Sequence, residues 1–335
     1  MKRPIGVLGT GSFGTVVTGL LLLKKNPVLL WDIDEDVLSE LTRSGENKRY
    51  LPGYKLPSLP ETTSSLEEIC RRCDILFSVL PAKAVRSVMR KLGDYVQAHQ
   101  IVVSCTKGLE SDTLKRMTQV IEEETPLKKI GALSGPNLAR EIATGSPSTA
   151  VIASFLNEVI EEIHGALNSR FFRVFGNHDP IGVEYCGSLK NIYAIASGIA
   201  QGLGYGINAR AFLLTVALKE MQFFSLHFQA HPETFSGMAG VGDLIATATS
   251  ELSRNFRFGI EIAKGKSAEA ALADINQTVE GYHTVQALHQ FLQSQSFRLP
   301  IVEAVYNVVN RIVGIEEAIA KLLHINVLYE NDIYV

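Results

Sequence analysis

The stretch from Ile5 to Gly14 constrains the fold of this chain more than any other. A short apolar run, Ile5–Leu8, leads directly into a loop with the sequence Gly-Thr-Gly-Ser-Phe-Gly, and an apolar helical pattern follows. A GxGxxG sequence is a weak signal alone, but between a strand and a helix it predicts a dinucleotide-binding turn. Gly9 then makes the tight turn, Gly11 lets the backbone approach a pyrophosphate, and Gly14 lets the helix pack against the strand. The free N–H groups and the dipole at the helix N-terminus attract phosphates, so a plain glycine-rich turn is the weaker interpretation.

The first half of the chain alternates short apolar runs with helical patterns or polar turns. Such alternation predicts a mostly parallel sheet with helices on its faces. The predicted strands are Ile5–Leu8, Val28–Trp31, Ile75–Val79, Ile101–Ser104, Ile130–Leu133, Thr149–Ala153 and Phe171–Phe175. The last strand runs into the turn Gly176–Pro180, which we expect to close the first domain.

Strand signals disappear from Ile181 onward. The segment Ile181–Leu203 has apolar residues at helical spacing and many small residues, which predicts a buried central helix that its neighbours approach closely. Further helices are predicted at Ala209–Gln229, Ser253–Lys264, Ala268–Ile275, Thr284–Gln293 and Val302–Val313. The C-terminal Glu330–Val335 is expected to be a frayed end or a surface strap.

A length of 335 residues is too great for one ordinary core and predicts two domains. We therefore predict an α/β Rossmann-type doubly wound domain at residues 1–179. An all-α domain at residues 180–335 is predicted to carry the substrate-binding and catalytic groups.

Charge and apolar patterning exclude several classes of protein. The net charge of −3 gives no basic footprint, so we expect no nucleic acid partner. The N-terminal apolar run is too short and too interrupted by glycine for a secretory signal. The most apolar helical stretch, Thr15–Leu23, has about half of the roughly 20 residues that a membrane span needs. We expect a cytoplasmic protein without a membrane span.

Cysteines and histidines give no sign of a metal or redox site. The four cysteines are sparse for this length, which fits a reducing compartment. Cys70 and Cys73 have CxxC spacing, but no second ligand pair accompanies them, so we interpret them as ordinary thiols at a helix end. The eight histidines show no clustered spacing. We predict that the protein needs no metal.

An acidic residue follows the second predicted strand. Asp32 lies 18 residues past Gly14, where a carboxylate typically accepts hydrogen bonds from the ribose hydroxyls of NAD and repels the extra phosphate of NADP. No Arg or Lys stands beside it in the sequence. This pattern favours NAD over NADP. The alternative is that Asp32 is a helix N-cap.

A series of motifs in the same order along the chain resembles the bacterial NAD(P)-dependent glycerol-3-phosphate dehydrogenase family. The resemblance extends from Gly9 to about Tyr306 and covers both predicted domains. The motifs are GTGSFGT (9–15), TKGLE (106–110), SGPNLAREI (134–142), VEYCGSLKNIYAIASG (183–198), MAGVGDL (238–244), SRNFRFG (253–259) and VEGY (279–282). The resemblance implies reversible hydride transfer between NAD(P)H and dihydroxyacetone phosphate, which gives sn-glycerol 3-phosphate for phospholipid synthesis.

The resemblance also assigns roles residue by residue. It implies that Lys190 is the catalytic proton donor and acceptor, that Lys107 lies near both cofactor and substrate, and that Asp243 completes the catalytic set. The implied substrate contacts are Lys107, Gly135, Asn137, Lys190, Asp243, Ser253, Arg254 and Asn255. The implied cofactor contacts are Gly9, Gly11, Ser12, Phe13, Gly14, Asp32, Ile33, Lys107, Ala139, Arg254 and Glu280.

These residue types suit ketone reduction. The carbonyl carbon receives a hydride while its oxygen needs a proton and stabilisation of negative charge, and an ammonium group supplies both. A lysine pKa near 10.4 is too high for this, unless burial or a second cation such as Lys107 lowers it. From periodicity alone, without the resemblance, a surface lysine with a buried stem is the favoured interpretation of Lys190.

Two further motifs have both a chemical and a structural interpretation. Asp243 follows Gly240-Val241-Gly242, which we read as a flexible turn that brings the carboxylate to Lys190 or to a substrate hydroxyl; a helix cap is the alternative. Ser253, Arg254 and Asn255 offer a hydroxyl, a guanidinium and an amide that suit a phosphate dianion. Their alternative is a capping serine followed by a solvated arginine.

The sequence departs from the family pattern at several positions. Asn137 replaces a common Thr or Ser, Val216 replaces a frequent Arg, Ile207 replaces a polar residue, and the stretch after Trp31 lacks an Arg or His. The last departure bears on the choice of cofactor, and the others bear on oligomer contacts or regulation.

Two other functions fit part of the sequence. A related hydroxyacid or ketopantoate-type reductase shares the two-domain plan and a catalytic lysine, but it binds a carboxylate. A nonenzymatic NAD(H) sensor needs the glycine loop without the lysines. The large apolar helices of the second half favour a homodimer.

Overall fold

A computed structural model describes residues 2–323 of the chain. The predicted strap at Glu330–Val335 lies outside the described residues. The fold divides into two compact units, Met1–Thr106 with Lys115–Val183 and Lys107–Leu114 with Glu184–Val335. The second unit thus includes a short segment from the first half of the chain. The domain boundary at 179/180 stays a prediction.

One eight-stranded sheet forms the centre of the first unit, counted over the described residues. Its strands are β1 (Ile5–Leu8), β2 (Val28–Trp31), β3 (Glu61–Thr63), β4 (Ile75–Ser78), β5 (Ile101–Ser104), β6 (Lys129–Ser134), β7 (Ser148–Ala153) and β8 (Phe172–Asn177). Every neighbouring pair of strands is parallel except β6 and β7, which are antiparallel. The predicted mostly parallel sheet is confirmed. Only β3 was not predicted, because its sequence Glu-Thr-Thr has no apolar run to mark it.

The strand order is β3-β2-β1-β4-β5-β6-β7-β8. The chain therefore winds outward in one direction from β1 to β3 and in the other direction from β4. In a doubly wound sheet, ligands bind beyond the carboxyl ends of the strands at the point where this direction reverses. That point lies between β1 and β4, where the glycine loop begins.

Helices cover both faces of this sheet. Successive strand residues belong to opposite hydrophobic clusters: Val7, Phe77 and Val103 lie in one cluster, while the neighbours Leu8 and Leu76 lie in the other. This alternation is what a strand buried on two faces requires. The helices of the first unit are α1 (Ser12–Leu23), α2 (Glu35–Ser44), α3 (Leu66–Arg72), α4 (Ala82–Gly93), α5 (Met117–Glu124), α6 (Ala139–Ala143) and α7 (Asn157–Leu167).

From Glu184 to Leu323, all regular elements of the second unit are helices. Its elements are α8 (Pro180–Gly202, shared with the end of the first unit), α9 (Ile207–Leu226), α10 (Pro232–Phe235), a π-helix (Met238–Gly242), α11 (Asp243–Ala248), α12 (Arg254–Ala263), α13 (Ala268–Ile275), α14 (Glu280–Leu292), α15 (Pro300–Val309) and α16 (Ile315–Leu323). The predicted α-helical second half is confirmed, and the bounds of α13 agree with the prediction residue for residue.

Helix α8 is buried almost along its whole length, as its small residues predicted. A Cβ atom at Gly198 would lie 2.0 Å from the carbonyl oxygen of Phe256 in α12. A Cβ atom at Gly259 would lie 2.1 Å from the carbonyl oxygen of Ile195. The two helices therefore contact backbone to backbone, which only glycine permits at these positions.

No helix within residues 2–323 is both long and apolar enough to cross a bilayer.

Candidate active site

The glycine loop has the geometry that a pyrophosphate needs. Gly9 has a φ of +108°, and a Cβ there would lie 2.7 Å from the carbonyl oxygen of Val79. A Cβ at Gly14 would lie 2.0 Å from the carbonyl oxygen of Gly9, whereas a Cβ at Gly11 would meet nothing within 4 Å. Gly11 is the N-cap of α1 and has no side chain to satisfy the first N–H groups of that helix. The loop thus leaves open space and free donors where the phosphates of NAD(P) would bind.

Asp32 faces this loop from the end of β2. Its Oδ2 atom accepts hydrogen bonds from the backbone N–H of Thr10 at 2.7 Å and from the Thr10 hydroxyl at 2.5 Å. The N-cap of α2 is Asp34, whose side chain accepts from the N–H of Val37. Asp32 is therefore not the helix cap considered above. Ile33 between them is 82% exposed.

The segment after α2 is fastened to the same loop. Asn47 donates to the carbonyl oxygen of Thr10 at 2.5 Å, and the Ser12 hydroxyl donates to the carbonyl oxygen of Tyr50 at 2.6 Å. Between these anchors, Arg49 pairs with Asp34 at 2.7 Å. Sequence reasoning found no cation beside Asp32 because it examined only neighbours along the chain.

The other predicted contacts of the first unit follow β6. Gly135 has a φ of +113°, and a Cβ there would lie 3.2 Å from the Cα of Ala150. Asn137 is 6% exposed. Ala139 begins α6 and, like Phe13, packs half-buried against the core. Because β1, β4, β5 and β6 are parallel, these residues lie at the same edge of the sheet as the glycine loop. Their roles toward a ligand stay predictions.

A buried cluster of two lysines and one aspartate lies in the second unit. Lys190, on α8, is 3% exposed, and its Nζ atom donates to Asp243 Oδ1 and, at 2.6 Å, to the hydroxyl of Thr247. Lys107 lies 3.1 Å from the other carboxylate oxygen of Asp243. One buried carboxylate therefore stands between two ammonium groups. The interpretation of Lys190 as a surface lysine is wrong.

A π-helix, rather than a flexible turn, places Asp243. The expected turn at Gly240-Val241-Gly242 belongs to the π-helix Met238–Gly242, and Asp243 is the first residue of α11. A Cβ at Gly240 would lie 2.2 Å from the carbonyl oxygen of Phe235. The glycine serves close packing, so the carboxylate is held rigidly. This single-turn π-helix is of the kind that often occurs at functional sites.

The surroundings of Lys190 change its acidity. Burial lowers the pKa of Lys190 to about 7, the charge of Asp243 opposes this shift, and the charge of Lys107 adds to it. Burial disfavours the charged ammonium because the interior solvates it poorly. A pKa near 7 lets this group give and take a proton close to neutral pH.

A chain of amides connects this cluster to the start of two helices. Asn191 donates to the carbonyl oxygen of Lys107 at 3.0 Å and accepts from Asn255 at 2.9 Å. Asn255 in turn accepts from the backbone N–H of Gly281 at 2.9 Å. Sequence reasoning missed Asn191 and Thr247. Asn191 directly follows Lys190, and Thr247 lies one helical turn after Asp243, so a search of those neighbours would have found both.

The predicted phosphate motif divides between two roles. The Ser253 hydroxyl accepts from the N–H of Phe256 and caps α12, as the alternative interpretation had it. Asn255 is buried in the amide chain. Arg254 is exposed in the first turn of α12, and Glu280 is the first residue of α14. Burial lowers the pKa of the Arg254 guanidinium and the charge of Glu280 opposes this shift, so the guanidinium is partly enclosed although the residue as a whole is exposed.

The cysteines are buried free thiols. Burial raises the pKa of both Cys70 and Cys73 to about 12, so neither is a reactive thiolate near neutral pH. In the part of the chain that the structure describes, no three His, Cys, Asp or Glu residues are grouped as a metal site requires. The expectation that the protein needs no metal stays a prediction.

The first unit is doubly wound and has an open glycine loop, and the second unit is helical and holds a buried lysine with a pKa of about 7. These features are typical of nicotinamide-dependent dehydrogenases. Profiles of the NAD-dependent glycerol-3-phosphate dehydrogenase N-terminus and C-terminus match residues 4–160 and 179–320. The chain belongs to this family.

Similar proteins cover almost the full chain. The glycerol-3-phosphate dehydrogenase [NAD(P)+] of Alcanivorax borkumensis is 40% identical over 308 residues, which are 92% of this chain and 90% of that one. The same enzyme of Halothermothrix orenii is 40% identical over 310 residues, 92% of this chain and 91% of that one. The crystal structure of glycerol-3-phosphate dehydrogenase from Coxiella burnetii has a TM-score of 0.92 and 34% identity, with 96% of this chain and 99% of that one covered.

Proposed function

We propose that this protein is a glycerol-3-phosphate dehydrogenase that transfers a hydride reversibly between NAD(P)H and dihydroxyacetone phosphate. The product, sn-glycerol 3-phosphate, would supply phospholipid synthesis. The observation that carries the proposal is the buried Lys190–Asp243–Lys107 cluster, with a Lys190 pKa of about 7. Family membership supplies the substrate pair.

Lys190 is the proton donor in the direction of reduction. When bound, the nicotinamide supplies the hydride. The Lys190 ammonium donates its proton to the carbonyl oxygen as that oxygen gains negative charge, and it takes the proton back in the reverse direction. Asp243 and Thr247 fix the ammonium in position through their hydrogen bonds. Lys107 supplies a second positive charge that stabilises the developing alkoxide.

Arg254 binds the phosphate of the substrate. Its guanidinium and the N-terminus of α12 together offer charge and N–H donors to a dianion. Ser253 and Asn255 hold this helix start in place through the cap and the amide chain. Gly135 and Asn137 keep the substrate-contact role, and Ala139 and Glu280 the cofactor-contact role, that the family resemblance implies.

The glycine loop holds the pyrophosphate. Asp32, hydrogen-bonded to that loop, favours NAD over NADP because a carboxylate after the second strand would accept from the ribose hydroxyls and repel a 2′-phosphate. We also infer a cytoplasmic homodimer. The buried free cysteines fit a reducing compartment. At the start of α9, Ile207 and Phe212 are 67% and 45% exposed, which supports association of apolar surfaces.

The direct test follows NADH oxidation by absorbance after addition of dihydroxyacetone phosphate, ketopantoate or another 2-keto acid. We expect oxidation with dihydroxyacetone phosphate alone. Oxidation with ketopantoate instead would favour the carboxylate-binding reductase, and no oxidation with any ketone would favour a sensor. Arg254→Ala should raise KM for the phosphorylated substrate, and an unchanged KM would contradict the phosphate role.

A further inference from the structure

Arg49 forms an ion pair with Asp34, in a segment that is hydrogen-bonded to the glycine loop. Its Nη1 atom lies 2.7 Å from Asp34 Oδ2, with side chains 60% and 33% exposed respectively. The guanidinium carbon also lies 5.2 Å from the centre of the Tyr50 ring. These two contacts orient a cation while leaving most of it open to solvent.

Anchoring of the surrounding segment fixes where this cation lies. Asn47 and Tyr50 on either side of Arg49 are hydrogen-bonded to the glycine loop and the start of α1. The backbone N–H of Asp34 donates to Asp32 Oδ1 at 3.1 Å. Arg49 is thus connected through Asp34 to Asp32, the acid directly after β2.

A groove beside the ion pair has room for an additional group. It measures about 390 Å³ and is lined by Asp36, Val37, Ser39, Glu40, Arg43 and Arg49. NADP differs from NAD by a phosphate on the ribose 2′-hydroxyl. Four carboxylates near the groove repel that dianion, those of Asp32, Asp34, Asp36 and Glu40. The guanidinium of Arg49 can donate paired hydrogen bonds to it, and Arg43 adds a second positive charge to the groove.

We propose that Arg49 binds the 2′-phosphate of NADP(H), and that Asp34 holds the guanidinium in place when the 2′-phosphate is absent. The proposal rests on the proposed function for the identity of the cofactor. It makes Arg49 a specificity-determining residue: Asp32 admits NAD, and Arg49 offsets the repulsion that NADP meets there. The chain therefore accepts both cofactors.

The test measures dissociation constants by calorimetry for NADPH, NADH and the fragments 2′,5′-ADP and 5′-AMP. Arg49→Ala is expected to weaken NADPH and 2′,5′-ADP about tenfold or more, since charge-assisted hydrogen bonds are lost. NADH and 5′-AMP should stay within about twofold. Arg90→Ala is the matched control, because it removes a similarly exposed arginine that pairs with Glu124 and does not line the groove. It should leave all four constants unchanged.

A second variant, Asp34→Asn, should change NADPH affinity in the opposite direction. Asp34→Asn keeps an oxygen to cap α2 but removes the charge that competes for Arg49. It should tighten NADPH binding several-fold and leave NADH binding unchanged. Equal effects of Arg49→Ala on both cofactors, no effect on either, or wild-type protein that fails to bind NADPH would each overturn the proposal. NADH-dependent reduction of dihydroxyacetone phosphate is measured separately, so loss of the proposed function is recognised independently.

Discussion

Lys190 shows how much of a side chain's chemistry comes from its surroundings. On the sequence it is one lysine within an apolar helix, and neither the burial nor the partners can be read from periodicity. The structure surrounds its ammonium with Asp243, Thr247 and the charge of Lys107. Burial is the larger influence, which is why the pKa falls although a carboxylate is in contact.

Replacement of Lys190 by Met tests its role. Lys190→Met removes the proposed proton donor but keeps a long apolar stem, so kcat for reduction should fall by about 100- to 10,000-fold. NADH affinity should stay unchanged. Lys264→Met, which changes an exposed lysine paired with Glu261, is the control and should retain full activity. A Lys190→Met enzyme with near-normal kcat would remove the proposed mechanism.

The pH dependence of reduction should follow the Lys190 pKa. As pH rises through about 7, the ammonium loses the proton that we propose it donates, so kcat/KM for dihydroxyacetone phosphate should fall. Asp243 raises the pKa of Lys190, so Asp243→Asn should move this fall to lower pH. A rate profile that stays flat between pH 6 and 9 would contradict the assignment.

The free energy of unfolding should also depend on pH because of the lowered Lys190 pKa. Lys190 has a native pKa of about 7 against 10.5 for a solvated lysine, so between these values the unfolded chain binds the additional proton. The free energy of unfolding should therefore rise with pH above 7. Urea unfolding between pH 7 and 9 should show a steeper rise for the wild type than for Lys190→Met. Parallel curves would mean that Lys190 is not strongly shifted.

At the scale of elements, sequence patterns succeeded where one rule dominated. Short apolar runs placed seven strands because a sheet covered on both faces needs them. They missed β3, a three-residue polar strand held by pairing with β2. The π-helix before Asp243 was also missed, because its glycines resemble a turn and only their contact with Phe235 shows a packed element.

The contact between α8 and α12 can be tested with two glycines. Gly198→Ala places a methyl group against the carbonyl of Phe256, so the helices must separate and stability should fall by about 1–3 kcal/mol. Gly165→Ala in α7 is the matched control, since its Cβ meets nothing within 4 Å, and it should stabilise by about 0.5–1 kcal/mol. Thermal unfolding measures both. Equal effects would show that the helices are not in close contact.

A buried acid joins α9 to α15. Glu220 is fully buried, and its two oxygens accept from the N–H groups of Ile301 at 2.9 Å and Val302 at 3.1 Å. These donors lie in the first turn of α15, which the charge also stabilises through the helix dipole. Val216, where the family often has Arg, lies buried one turn before Glu220. An arginine at that position would be a neighbour of Glu220 on the same helix face.

Glu220→Gln should lower the free energy of unfolding by about 1.5–3 kcal/mol, because one charged acceptor becomes a donor that faces an N–H group. Glu303→Gln is the control, since this 30%-exposed side chain lies 3.8 Å from Arg298, and its effect should stay within about 0.5 kcal/mol. Urea unfolding gives both values. A Glu220→Gln protein as stable as the wild type would show that the cap contributes nothing.

At the scale of the whole molecule, patterning predicted the architecture but not the assembly of the site. The sheet followed by helices could be read from periodicity, and the identities of Lys190, Lys107 and Asp243 came from the family resemblance. The structure brings both lysines to the Asp243 carboxylate, lowers the pKa of Lys190 and places Arg49 near Asp32. These features depend on distances between residues that are far apart in the chain. Such distances are set by packing and leave no local mark in the sequence.

The proposed homodimer can be checked by sedimentation, which should give about twice the mass of one chain. A particle of single-chain mass at micromolar concentration would contradict it.

The segment Lys107–Leu114 is made early in synthesis but belongs to the later unit. Lys107 is synthesised before the sheet is complete, and its partner Asp243 follows 136 residues after Lys107. A gene fragment that starts at the second unit would encode a protein with only one of its two ammonium groups. Exchange of halves between relatives would likewise set a lysine from one parent against the carboxylate of another. Recombination between the two halves of the gene is therefore constrained by the segment Lys107–Leu114, which lies in the first half of the sequence but belongs to the second unit of the fold.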